Sequence, residues 1–148
     1  MVDLNKRKAL FLCTGNSCRS QMAEAIVNNR MEGEWLAYSA GTKPAGYVHP
    51  KAIEALAEIN IKHEGISKHV DDFREVEFDL VVTVCDSAAE ECPVWLGGGI
   101  RVHKSYPDPA KAVGSEEEIM DAFRGVRDDI LDEIPQLVTE FGTKNPGE

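Results

Sequence analysis

The sequence predicts an α/β fold, a three-layer sandwich around a central four-stranded parallel sheet. Segments rich in strand-forming residues alternate along the chain with segments whose apolar residues recur at helical spacing, a pattern typical of such folds. The first strand segment, residues 9–12, is a continuous apolar run, as expected for a central strand that is buried on both faces.

Three further segments complete the predicted sheet. Residues 35–40 alternate between apolar and polar side chains, and the segment ends at Gly41. Residues 78–85 form the clearest strand because they are rich in β-branched side chains. Residues 100–106 are the fourth candidate and follow a glycine triplet at 97–99.

Helices are predicted between and after these strands. The first covers residues 20–31, and the second opens at His49 and Pro50. A long helix follows Ser115, which forms a capping-box pair with Glu118. We expect one domain over residues 1–148, because this length suits a single core and no repeat, low-complexity segment or linker interrupts it.

Composition excludes several classes of partner. The chain has 26 acidic and 16 basic residues, and a net charge of −10 repels nucleic acid and anionic membranes. No apolar run approaches the roughly 18 to 20 residues of a membrane span, and the charged start leads into too short an apolar stretch for a secretory signal. We therefore expect a cytoplasmic protein whose four cysteines rest as thiols.

The segment 13–20 joins the first strand to the first helix and carries the main candidate site. A loop at a helix N-terminus directs several N–H groups and the positive end of the helix dipole at one point. This field favours an anion and a thiolate, so we expect Cys13 to be ionised at neutral pH. Arg19 adds a planar fork suited to a tetrahedral oxyanion, and the Ser20 hydroxyl is placed to donate to Cys13.

Gly15 and Asn16 tolerate the positive φ angles that such a loop requires. The Cys18 side chain is expected to point into the core as a small hydrophobe. A buried strand-end cysteine beside an unrelated surface arginine is the alternative, and placement at a strand–helix junction favours the anion site. The predicted oxyanion-binding residues are Thr14, Gly15, Asn16, Ser17, Cys18, Arg19 and Ser20.

Three other residues are candidates for chemistry. Asp108 lies between two prolines, which stiffen the turn and suit a positioned carboxyl, although an ordinary turn aspartate is the simpler interpretation. Cys85 ends the clearest strand, and Cys92 follows after a short polar segment. On a regular helix these two thiols would lie about 10 Å apart along the axis, so a disulfide requires unwinding, for which the glycines at 97–99 supply slack. A zinc site is a competing interpretation, but it would need four ligands.

The motif from Cys13 to Glu24, Cys-Thr-Gly-Asn-Ser-Cys-Arg-Ser-Gln-Met-Ala-Glu, closely resembles the signature of thioredoxin-coupled arsenate reductases. That family shares its fold, phosphotyrosine phosphatase I-like, with low-molecular-weight protein tyrosine phosphatases. The resemblance continues through residues 38–42, 49–53, 67–70 and 79–85, and through Cys92-Pro93 and Asp108-Pro109-Ala110. It covers nearly the whole chain.

The resemblance implies arsenate reduction for arsenic detoxification. In this scheme the Cys13 thiolate attacks arsenate held by the loop and Arg19, and Asp108 protonates the leaving oxygen. Cys85 then attacks Cys13 and releases arsenite, Cys92 moves the disulfide to Cys85–Cys92, and thioredoxin reduces it. Neither a metal nor an organic cofactor is implied, and phosphate or sulfate should compete with arsenate.

Some members of the family that this chain resembles bind potassium with the residues at the positions of Asn16, Glu24 and Ser39. The position that carries an acidic ligand in those proteins is Lys68 here, by counting back from Cys85. We expect the Lys68 ammonium to take the place of the cation and to pair with Glu24. An exposed lysine in a variable segment is the alternative.

Two other functions remain open at this stage. A phosphatase would need only Cys13, Arg19 and Asp108, but Ala110, Lys111 and Ala112 provide no aromatic platform for a phenyl ring. A phosphocarrier domain would not require a paired thiol relay. The histidines show no metal-ligand spacing and are expected mostly at the surface; they are His49, His63, His69 and His103. The tryptophans, Trp35 and Trp95, are expected to pack.

Overall fold

The computed structural model describes residues 6–86 and 94–142. These ranges contain four strands and three α-helices, and an α-helix follows each of the first, second and fourth strands. The elements are β1 (Arg7–Cys13), α1 (Arg19–Arg30), β2 (Trp35–Gly41), α2 (Pro50–Glu58), β3 (Leu80–Thr83), β4 (Ile100–His103) and α3 (Glu116–Gly142). Short 3-10 turns cover Val70–Phe73 and Pro109–Lys111.

The four strands form one parallel sheet in the order β2-β1-β3-β4. This confirms the predicted fold class. In the sheet, Cys13 pairs with Gly41 and Leu12 pairs with Thr83, so β1, β2 and β3 end at one edge. The carboxyl ends of parallel strands are where open α/β sheets place their ligands.

Both faces of β1 are buried, as its continuous apolar run predicts. Ala9, Phe11 and Cys13 join the larger core cluster, to which α1, α2 and α3 all contribute. Leu10 and Leu12 face a smaller cluster on the opposite side of the sheet. That second face is covered, within the described residues, by the Val70–Phe73 turn and by aromatic side chains beside β3 that include Phe78 and Trp95.

The ends of the elements differ from the predicted ones. The strand predicted over 78–85 is only Leu80–Thr83, and Phe78, Val84 and Cys85 are buried outside it. The strand predicted over 100–106 ends at His103. By contrast, the capping box at the start of α3 is confirmed, with Glu118 N donating to Ser115 Oγ at 3.1 Å and Ser115 N to Glu118 Oε1 at 3.2 Å. Among the described residues, no helix has both the length and the apolar composition to cross a bilayer.

Candidate active site

The loop between β1 and α1 is held in place from outside. Its carbonyl groups accept hydrogen bonds from the segment that follows β2: Lys43 N donates to Thr14 O at 3.0 Å, Ala45 N to Gly15 O at 2.9 Å and His49 N to Ser17 O at 3.0 Å. Backbone groups need such partners when they are buried. The shape of the loop is therefore fixed before any ligand binds.

The carboxyl end of β2 touches the loop directly. A Cβ atom at Gly41 would lie 2.8 Å from Cys13 O and would collide with the Thr14 backbone. Only glycine allows this approach. Inside the loop, the predicted positive φ falls on Asn16, at 45°, whereas Gly15 does not adopt one. Of the two residues expected to tolerate this left-handed conformation, the asparagine is the one that adopts it.

Cys13 lies at the end of β1 and is 2 % exposed. Its Sγ atom is 2.9 Å from Ser20 Oγ, the contact that the sequence predicts. Ser20 Oγ also accepts a 2.9 Å hydrogen bond from Asn16 Nδ2. Because Asn16 supplies one hydrogen to this oxygen, the Ser20 hydroxyl is free to donate its own hydrogen to the sulfur, which stabilises a thiolate.

Arg19 begins α1, one residue earlier than predicted, and its side chain is buried. Arg19 Nη1 donates to Tyr106 O at 3.1 Å, and Nη2 lies 3.8 Å from Asp108 Oδ2. The other oxygen of Asp108, Oδ1, accepts from Ala110 N at 3.0 Å and so caps the following 3-10 turn. The carboxyl is thereby oriented toward the guanidinium rather than free in solvent.

The two cysteines of the loop differ in chemistry. The side chain of Cys18 packs in the larger core cluster and is 4 % exposed, as expected from the sequence. Burial, together with the nearby Asp108 carboxylate, raises the pKa of Cys18 to about 12. Cys18 is therefore a protonated thiol at neutral pH, and its contribution to an anion site is restricted to its backbone.

Cys85 follows β3, the neighbour of β1, and is fully buried. Val84 N donates to Leu12 O at 2.8 Å, which brings the end of β3 level with the end of β1. Cys85 is disulfide-bonded, whereas Cys13 and Cys18 are free thiols. Cys92 lies outside the described residues.

The glycine triplet at 97–99 lies beside Trp95. Trp95 is 4 % exposed, and its Nε1 donates to Gly98 O at 3.1 Å. A Cβ atom at Gly97 would lie 2.6 Å from the indole ring. The expected packing role of Trp95 is confirmed, while the slack expected of the glycines stays a prediction.

The residues of the predicted cation-site substitute are close together. Lys68 Nζ lies 3.7 Å from Glu24 Oε1, which also accepts from Ser39 Oγ at 3.1 Å. Lys68 Nζ donates to Ile66 O at 2.6 Å, and Lys68 N donates to Asn16 Oδ1 at 2.8 Å. Burial raises the pKa of Glu24, and the Lys68 ammonium and the Ser39 hydroxyl oppose this shift.

The chain matches the family model of low molecular weight phosphotyrosine protein phosphatases over residues 8–146. The chain belongs to this family. It is 47 % identical over 128 residues to an arsenate reductase of Halalkalibacterium halodurans, covering 86 % of this chain and 91 % of the relative. It is also 44 % identical over 131 residues to an arsenate reductase of Bacillus subtilis, covering 86 % and 91 %. The crystal structure of the Archaeoglobus fulgidus arsenate reductase is similar, with a TM-score of 0.75 and 31 % identity over 88 % of this chain and 98 % of that chain.

One residue beside the site of this phosphatase-family chain was missed by sequence reasoning. His63 was expected at the surface, but its side chain is only 8 % exposed, and Nε2 lies 2.7 Å from Gln21 Oε1. Gln21 is itself fully buried and contacts Asn16 in the loop. The prediction for His63 was wrong because a polar residue in a loop gives no periodic signal of burial.

The arrangement as a whole suits chemistry on a tetrahedral oxyanion. Cys13 ends β1, Arg19 begins α1 and faces the Asp108 carboxyl, and that helix end adds N–H groups.

Proposed function

We propose that the chain reduces arsenate to arsenite, with Cys13 as nucleophile. The observation that carries the proposal is the Cys13–Ser20 contact beside Arg19 and Asp108, in a chain whose similar relatives are arsenate reductases. Cys13 and Arg19 are almost fully buried, which suits a small inorganic oxyanion better than a large phosphoprotein side chain. The biological role that follows is arsenic detoxification.

In the first step the Cys13 thiolate attacks arsenic, and an S–As bond forms while an As–O bond breaks. Backbone N–H groups of the loop and the Arg19 guanidinium neutralise the charge on the remaining oxygens. Asp108 gives its proton to the departing oxygen, which leaves as water. Support for this role of Asp108 comes from its position 3.8 Å from Arg19.

In the second step Cys85 attacks the Cys13 sulfur. The S–As bond breaks, its electron pair stays on arsenic, and arsenite leaves while a Cys13–Cys85 disulfide forms. Cys92 then attacks Cys85, which frees Cys13, and the dithiol of thioredoxin reduces the Cys85–Cys92 disulfide. The place of Cys85 at the end of the strand beside β1, and its disulfide-bonded state with Cys13 free, support this order.

The chain's own sulfurs carry both electrons in this scheme, so it requires neither a metal nor an organic cofactor. A cytoplasmic location, where thioredoxin is kept reduced, belongs to the same proposal. Phosphate and arsenate are similar tetrahedral oxyanions, so we also propose a weak phosphatase side activity that uses Cys13, Arg19 and Asp108 alone. Phosphate and sulfate should occupy the same loop.

The test is arsenite release by the purified chain with thioredoxin, thioredoxin reductase and NADPH. We expect arsenate-dependent oxidation of NADPH with one arsenite formed per NADPH consumed. Cys13→Ser serves as the inactive control. Cys18→Ser changes the other cysteine of the loop and should leave the relay of Cys13, Cys85 and Cys92 working. Aryl phosphate hydrolysis without any arsenite release would reject reduction and favour the phosphatase alternative.

A further inference from the structure

The orientation of the Gln21 amide is fixed by its neighbours. Gln21 Nε2 lies 2.9 Å from Ile66 O, 3.0 Å from Asn16 Oδ1 and 3.2 Å from Asn16 O. All three are carbonyl oxygens, which only accept hydrogen bonds, so the nitrogen end of the amide must face them. Gln21 Oε1 therefore faces His63 Nε2, and that ring nitrogen must carry a hydrogen.

The orientation of Asn16 is fixed in the same way. Its Oδ1 atom accepts from the backbone N–H of Lys68 at 2.8 Å, which can only donate. Asn16 Nδ2 must then face Ser20 Oγ and donate to it. The hydrogen that remains on Ser20 is left for Cys13 Sγ.

We infer that His63 is a positioning residue for the Cys13 thiolate and acts through Gln21, Asn16 and Ser20. All hydrogen bonds along this path donate in one direction, from the histidine ring toward the sulfur. The inference concerns how the nucleophile is prepared, and it rests on the proposed function only for the use made of Cys13.

The lack of a side chain at Gly65 leaves room for the His63 ring. A methyl group on Gly65 would collide with His63 Nε2 and with Gln21 Oε1, so the approach of the histidine to the glutamine depends on a residue without a side chain. Only glycine provides this space, since any Cβ would overlap the ring. The contact between His63 and Gln21 therefore depends on both His63 and Gly65, and a substitution at either residue should disrupt it.

Charged groups near both ends of the path matter for its pH dependence. Glu24 on α1 lies 3.8 Å from His63 Nε2, and burial, reinforced by the Lys68 ammonium, lowers the pKa of His63. Protonation would add a hydrogen at Nδ1 and leave the Nε2 donor unchanged, so the direction of the path persists at low pH. Arg19 and the Asp108 carboxyl that faces it take no part in the path.

The experiment measures alkylation of Cys13 by iodoacetamide as a function of pH, on the reduced protein, with the modified cysteine identified by peptide mass spectrometry. His63→Leu removes the donor, and we expect the midpoint of the pH profile to rise by about half to one pH unit. The alkylation rate at a pH well below the wild-type midpoint should then fall roughly 3- to 10-fold. His63→Gln, whose amide donates from a similar reach, should restore the midpoint.

Two more variants keep the test decisive. His103→Leu, at an exposed histidine on β4, should leave the profile unchanged. Gly65→Ala should shift it in the same direction as His63→Leu, and it replaces that variant if the latter does not fold. A folded His63→Leu or Gly65→Ala protein with the wild-type midpoint would overturn the inference. Failure of the wild type to release arsenite would instead reject the proposed function and leave the alkylation result standing.

Discussion

Arg19 Nη2 and Asp108 Oδ2 lie 3.8 Å apart, and the other Asp108 oxygen caps Ala110 N. The carboxyl is thus held by its own turn in a position facing the guanidinium. The two prolines that flank Asp108 limit the ways in which this turn can relax. This relationship separates the two tasks of the carboxyl, since one oxygen serves the fold and the other faces the site.

Asp108→Asn tests the acid. The asparagine Oδ1 can still accept from Ala110 N, but the side chain has no proton to give to the departing oxygen. We expect kcat for arsenate reduction to fall roughly 100- to 10,000-fold, while Cys13 alkylation keeps its rate. Asp72→Asn, at an exposed aspartate of the Val70–Phe73 turn, is the matched control. An Asp108→Asn enzyme with wild-type kcat would remove Asp108 from the mechanism.

Ser20→Ala tests the hydrogen bond to the nucleophile. Without the hydroxyl, the sulfur loses a donor at 2.9 Å, and a hydrogen bond to a charged group contributes about 1.5 to 3 kcal/mol. Wild-type Cys13 should be alkylated rapidly near pH 6, and arsenate, phosphate or sulfate should slow the reaction. The variant should react at least about 10-fold more slowly at that pH. Wild-type reactivity that begins only above pH 8 would contradict the anion-loop interpretation.

Cys85→Ser and Cys92→Ser test the relay. The first change should abolish turnover and leave Cys13 able to hydrolyse a simple aryl phosphate, because no thiol remains to attack the Cys13 adduct. The second should release about one arsenite per chain and accumulate a Cys13–Cys85 disulfide, visible by mass spectrometry after trypsin digestion under non-reducing conditions. Sustained thioredoxin-coupled turnover by either variant would refute the proposed order of thiols.

Lys68→Ala tests the proposed substitute for a cation. The Lys68 ammonium lies 3.7 Å from Glu24, so the wild-type activity should be the same in potassium as in sodium at fixed ionic strength. Removing the ammonium leaves the largely buried Glu24 carboxylate without this cationic partner, so anion binding should weaken about 3- to 10-fold, with recovery by added potassium. Lys62→Ala, at a lysine whose side chain is 88 % exposed, is the control. Strong activation of the wild type by potassium would reject the substitution.

Glu58→Gln tests an ion-pair network between α2 and α3. Hydrogen bonds from Arg124, with a further one from Arg127, hold the pKa of Glu58 at about 2, below its ordinary 4.5. Since the folded pKa is depressed, the stability that Glu58 contributes is present above pH 4.5 and is lost as pH falls toward 2. The variant should therefore melt at a lower temperature than the wild type at pH 7, and the difference should shrink below pH 4.5. Glu54→Gln, on the same helix, should show no such pH-dependent difference.

The fold and the nucleophile were predictable because their signals are local. The apolar run of β1 and the capping box at Ser115 each specify their surroundings within a few residues. The junction of strand and helix likewise placed Ser20 Oγ beside Cys13 Sγ, seven residues earlier in the chain. Such features follow from chain geometry and from helix and strand periodicity.

The contacts of His63 with Gln21 and Gly65 behind the site were not predictable, because their signals are not local. His63 reaches Gln21 across 42 positions of sequence, and the space for it is created by Gly65. Nothing in a loop histidine or a lone glycine indicates which distant side chain it will meet, because that depends on how the loop folds back over α1. The sequence likewise did not decide between Gly15 and Asn16 as the left-handed residue, since contacts from outside the loop help to determine its conformation.

The unequal chemistry of the two loop cysteines offers a way to assess a purified sample. Burial raises the pKa of Cys18, and Cys85 is disulfide-bonded, so among the described residues Cys13 is the thiol left for alkylation at pH 6. A brief exposure of unreduced protein to a fluorescent haloacetamide should therefore label Cys13 wherever it is a free thiol. The Cys13-bound label per mole of chain, read after peptide separation, would then give the fraction of molecules whose nucleophile is free, and rates from different preparations could be normalised to that fraction.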